Sequence, residues 1–221
     1  MKKVYLLPLL FLLLADCGSK PAPAWLATGH KQLETYKQDF LSAREPVVAE
    51  LRFKKAITEI KRSGDLNLLA KALLTRMALQ IAVLEAPDEG DFARVESAQP
   101  VPANRNFYLF LKGDLADVDG DLLPSQYRPF LMAFRRDDTA GTGKAVAGIK
   151  DPLSRLIAAG LSVTHHIENE TILLATVEAA SENGWKRALL VWLKRLQSSY
   201  EASNEPGKAD LIRRRIGIIE K

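Results

Sequence analysis

Helix-period apolar stripes, each cut off by a glycine beside a capping residue, constrain this chain more than any other feature of its sequence. Phe53, Ala56, Ile57 and Ile60 recur at i, i+3, i+4 and i+7, a spacing that puts four side chains on one face of an α-helix. Arg52, Lys54, Lys55, Glu59 and Lys61 fall largely off that face. Ser63-Gly64-Asp65 then stops it, because glycine takes the left-handed closing conformation at little cost and aspartate caps the helix that follows. Lys112-Gly113-Asp114 repeats this chemistry, and Asn183-Gly184 stops a later helix. Trp185, Ala188, Leu189, Trp192, Leu196 and Tyr200 form the best stripe in the chain, and Ala209, Ile212, Ile216 and Ile219 predict a closing helix. Residues 66–84 are apolar nearly all round, with only Lys71 and Arg76 charged, which predicts a helix packed between others at the centre of the amino-terminal core.

The middle of the chain is broken by Pro100, Pro102, Pro124 and Pro129. Phe107-Tyr108-Leu109-Phe110-Leu111 could be read as a strand, but no period-two partner stands near it and a lone strand is not stable. Short helices are the better expectation there. Tyr127, Phe130, Leu131 and Phe134 add another helical stripe, ended by Arg136-Asp137-Asp138. The fold class predicted is therefore all-α, built of stacked antiparallel helical hairpins.

The amino terminus carries a different signal. Lys2 and Lys3 precede an apolar run that closes at Leu14-Ala15-Asp16-Cys17, which contains the only cysteine in the chain. The run is about a dozen residues long, within the range of a secretory signal and short of the roughly 20 needed to span a bilayer. These residues resemble the signal of bacterial lipoproteins, in which a leucine and small residues precede a lipidated cysteine. Asp16 departs from that pattern, since glycine or alanine is usual there. The resemblance implies cleavage after residue 16, acylation at Cys17, and tethering to the periplasmic face of the outer membrane. Residues 17–24 then read as a short polar, Pro-rich tether.

About 205 residues remain beyond the leader, enough for a sizeable core. With no cysteine left for a disulfide, that core must rest on packing. The net charge of +4 is too mild to argue for nucleic acid as a partner. Residues 25–221 read as one helical domain, divisible into sub-bundles at 25–98 and 103–221. The stretches Ile57 to Asp65 and Glu178 to Trp185, each a helix end running into a turn and restart, resemble the hairpins of tetratricopeptide-like and related α-solenoid proteins. The turns do not recur at the period of about 34 residues that defines that repeat, and an irregular helical bundle is the equal alternative.

Four constellations could carry chemistry. Asp117, Asp119 and Asp121 imitate the first ligands of a calcium loop beside Asp114, but Leu122 replaces the required glycine and Arg128 stands where the bidentate glutamate belongs. A solvated Asp-Gly turn is the expectation. His165 and His166 are adjacent and project about 100° apart on a helix, so they do not share one ion. Gly141-Thr142-Gly143-Lys144 looks like a fragment of a phosphate loop, but its first glycine is missing and no strand precedes it, so a flexible turn is expected. Arg213-Arg214-Arg215 suits the solvated face of a last helix. No metal, cofactor or catalytic residue is assigned from these patterns. The function expected is a non-catalytic, lipid-anchored interaction or scaffold protein of the cell envelope. The alternative is a binder of a small ligand or cell-wall fragment, or a helical hydrolase whose site is assembled from scattered residues, with a pocket lined for instance by Trp185 or Tyr127.

Overall fold

A computed structural model describes residues 24–42 and 46–221. The leader, Cys17 and all of the tether before Ala24 lie outside the described residues. The described chain is all-α, with eleven α-helices, one 3-10 turn and no strand. The helices are α1 (Ala24–Leu41), α2 (Pro46–Lys61), α3 (Leu66–Ala82), α4 (Gly90–Ala98), α5 (Pro102–Lys112), α6 (Arg128–Phe134), α7 (Thr139–Ala147), α8 (Pro152–Thr164), α9 (Glu170–Glu182), α10 (Lys186–Ala202) and α11 (Pro206–Ile219). The stretch from Phe107 to Leu111 lies inside α5, as its missing strand partner implied.

Local chemistry sets the boundaries. The Asp65, Asp138, Asp151 and Asn169 side chains each accept a hydrogen bond from a backbone N–H of the first turn of the helix they precede. Gly113, at φ 84°, closes α5 in the left-handed region, and its N–H reaches back to the Leu109 and Phe110 carbonyls. Glycine is needed there twice over, because a Cβ would stand 2.9 Å from His165 Nε2.

Consecutive helices pair, α1 with α2, α8 with α9, α9 with α10 and α10 with α11. α3 is the hub. It touches α1, α2, α4 and α5 and also crosses α8. Met77, Leu79 and Ala82 are fully buried, so the all-round apolar composition of this segment is spent on neighbours at every side. Trp192, in the middle of α10, is fully buried and donates from Nε1 to the Ala82 carbonyl at 2.9 Å. Trp185 ties the other end of the chain to α1 through Gln38 Oε1, also at 2.9 Å.

Three helices of the carboxy-terminal stack are clasped by one carboxylate. Glu170 accepts from the Tyr200 hydroxyl at 2.8 Å and from Lys208 Nζ at 3.0 Å. Those two donors hold its carboxyl below the usual carboxylate range, the tyrosine bond contributing most.

Gly217, by contrast, sits exposed inside α11 with open space where a Cβ would go. Gly217→Ala should therefore stabilise the fold by up to about 1 kcal/mol, through helix propensity alone. In thermal unfolding that is a rise of roughly 2–4 °C for a chain of this size. A fall in melting temperature would contradict the placement of Gly217 on open helix surface.

Candidate binding groove

A strongly apolar groove of about 400 Å³ lies between the first half of α1, the end of α2 and the first half of α3. Leu26, Ala27 and Leu33 come from α1, Ile60 from α2, and Leu68 and Ala72 from α3. The close crossing that builds its corner depends on Gly29. This residue is buried, and a Cβ there would stand 3.3 Å from Ile60 Cγ1. Thr75 completes the wall, and its hydroxyl is turned back onto its own helix, donating to the Lys71 carbonyl at 2.9 Å. That leaves the methyl group as what it offers the groove. Among the described residues only His30 and Lys71 bring ionisable groups to the lining, and both are exposed.

A second recess of about 330 Å³ adjoins the first and shares Lys71 and Thr75 with it. Leu74, Phe107, Leu122 and Pro124 contribute its apolar lining. The two together make an apolar furrow along the outer side of α3, with α1 on one bank and α5 on the other. Its volume falls in the range of ligand sites, about 300–1,000 Å³, but it lacks convergent polar groups that would orient a polar ligand.

A larger recess, about 640 Å³, lies elsewhere, where Lys144, Lys150, Asp151 and Gln126 line a wide, open depression. Two of its polar groups are already engaged. Asp151 accepts from the Ser154 N–H at 2.7 Å, and Gln126 donates to the Ser154 hydroxyl at 3.3 Å.

The residues singled out in the sequence are dispersed through the fold. Asp119 braces a turn: its N–H donates to Asn106 Oδ1 at 2.6 Å, and its carboxylate accepts from the Asp121 N–H at 2.8 Å. Carbonyls of the same loop are taken by cations of the chain itself. Arg128 reaches the Asp121 carbonyl at 2.9 Å, and Arg135 reaches those of Leu115 and Ala116, each at 3.1 Å. Among the described residues no group of three or more His, Cys, Asp or Glu side chains is placed to hold a metal ion. His165 packs edge-on against Phe134, and His166 takes a left-handed turn at φ 57°. Glu168, beside them, is paired with Arg195.

Gly141-Thr142-Gly143-Lys144 is not a turn. It forms the body of α7, capped by Asp138, which accepts from the Gly141 N–H at 2.7 Å. The glycines are there for contact. A Cβ on Gly143 would lie 2.8 Å from Asn169 Nδ2, and one on Gly141 would collide with the Asp138 carboxylate at 2.1 Å. Close contact with two capping side chains, Asp138 of α7 itself and Asn169 of α9, overrides the turn preference that two glycines suggest in isolation.

Arg213 pairs with Glu201 and Asp210, while Arg214 and Arg215 lie exposed on α11. Trp185 and Tyr127 are both buried in the core and line none of the recesses described above. Burial pushes the Tyr127 hydroxyl well above the ordinary tyrosine range, so it stays protonated.

Residues of the groove carry no signal by which the sequence could have marked them, since Leu26, Leu33 and Ile60 look like any other core-facing stripe. Compared with protein-family models, with curated proteins and with solved structures, the chain matches none.

Proposed function

We propose that this chain is a lipid-anchored protein of the cell envelope that acts by contact, without catalysis, as an interaction module. The anchor is the acylated Cys17, on the outer-membrane side facing the periplasm. Each buried methylene contributes about 0.8 kcal/mol, so two or three acyl chains hold a protein on a bilayer where one alone holds it marginally.

The observation that carries the reading is the outer face of α11. This last helix packs mainly on α10, burying Ala209 and Ile216. Leu211 and Ile218, seven residues apart and so on one stripe, remain 61 % and 75 % exposed. Arg214 and Arg215 stand between them, and neither is ion-paired to a described residue. An exposed apolar stripe flanked by two cations that no described acidic residue pairs suits the docking of another amphipathic helix. The partner that fits is an amphipathic helix of an envelope protein with acidic residues flanking its apolar face.

The double substitution Leu211→Asp with Ile218→Asp tests this. It should abolish recovery of the crosslinked partner from envelopes, while the melting temperature moves by less than about 4 °C, because exposed positions contribute within roughly 0.5 kcal/mol each. Unchanged recovery, or no partner with the unaltered protein, refutes the reading.

The apolar furrow favours a second reading, a binder of hydrocarbon. It speaks against a cell-wall fragment, whose hydroxyl groups would be left unpaired against Leu and Ala walls.

A further inference from the structure

We propose that the groove at the foot of α1 holds an acyl chain carried by this protein's own Cys17. The inference rests on the lipid-anchor reading and adds where the hydrocarbon lies when no bilayer takes it.

Position is the first argument. The walls come from the start of α1, the end of α2 and the start of α3, so the groove belongs to the end of the hairpin at which α1 begins. The described chain begins at Ala24, and the first wall residue is Leu26. Reach is the second. Seven Cα-to-Cα steps lead from Cys17 to Ala24, which at about 3.3–3.6 Å each allow at most roughly 25 Å. From Leu26 to Leu33 the groove runs only about 10 Å along the helix. The cysteine therefore reaches the groove without a fully drawn tether.

Effective concentration is the third argument. A short tether presents its cargo at millimolar levels, which favours an attached chain over a dissolved one. The last argument is chemical. A hydrocarbon tail needs burial and no hydrogen bonds, and walls of Leu, Ile, Ala and the Thr75 methyl give that. His30 and Lys71, both exposed, leave the polar side of the lining for the glyceryl end of the lipid. Docked this way, the tail is shielded from water while the protein is away from a membrane.

The test feeds cells expressing the full-length chain, or its Ala27→Trp or Cys17→Ala variant, a fatty acid bearing a photoreactive diazirine. Purified protein, diluted until detergent micelles are gone, is irradiated and its adducts are mapped by mass spectrometry. Adducts are expected within residues 26–33 and 68–75. Ala27→Trp, which fills the groove from an exposed position, should lower them by about tenfold, the equivalent of losing the burial of roughly two methylenes. Cys17→Ala should remove them. Adducts that persist in Cys17→Ala would identify a dissolved lipid as the occupant and overturn the proposal. Label present on Cys17 with adducts mapping elsewhere overturns it while leaving the anchor intact. Label absent from Cys17 brings down the anchor reading and this inference with it.

Discussion

Trp192→Ala is expected to cost about 4–8 kcal/mol, the largest loss expected from any single substitution in this chain. Two effects combine. Removing a fully buried indole leaves a cavity where α10 meets the core, and such deletions cost about 3–5 kcal/mol. The Ala82 carbonyl also loses its donor. That carbonyl is the last of α3, one of the four at a helix end that have no partner within the helix, and leaving it dry adds roughly 1–3 kcal/mol. At about 2–4 °C per kcal/mol, the melting temperature should drop by on the order of 10–30 °C. Trp192→Phe separates the two effects. It keeps most of the volume and should lose only about 1–3 kcal/mol. Equal losses for Phe and Ala would show that the hydrogen bond dominates, and a loss below about 1 kcal/mol for Ala would remove Trp192 from the core altogether.

Gly160→Leu follows closely, with an expected cost of about 3 kcal/mol or more. α8 crosses α3 so tightly at this point that a Cβ would lie 2.4 Å from the Ile81 carbonyl oxygen and 2.8 Å from Ile81 Cγ2. One obstacle is backbone, so no side-chain rotation relieves it and the helices must separate. Gly160→Ala is the sharper test because two effects oppose each other. Helix propensity favours alanine by about 1 kcal/mol, while the clash disfavours it by more. The net sign should be destabilising here, whereas Gly217→Ala, the same exchange in open space, should stabilise. Gains at both sites in chemical denaturation would show that α3 and α8 do not touch at Gly160.

These two positions also show where reading the sequence succeeds and where it stops. Stripes such as Trp185 to Tyr200, and stops such as Gly64 and Gly113, were legible because each is a local matter. The 3.6-residue period and the left-handed tolerance of glycine act within a few neighbouring residues. Trp192 was legible as a stripe member, but its bond to Ala82 spans 110 residues and has no local trace. Gly143, part of a flexible turn by its local sequence, lies inside α7 for the same reason. What decides its role is Asn169, the cap of α9, whose amide nitrogen would stand 2.8 Å from a Cβ there.

By itself, then, the amino-acid sequence determined the all-α class, several helix ends, and the central place of residues 66–84, of which 66–82 form α3, because periodicity and capping are properties of adjacent residues. Tertiary structure alone decided which helices meet, that α3 is clasped by both α5 and α8, and that an apolar groove opens where α1, α2 and α3 converge. The physical reason is that a leucine on a helical stripe is driven out of water in the same way whatever lies opposite it. Only the packed neighbours determine whether it faces another side chain or an open groove.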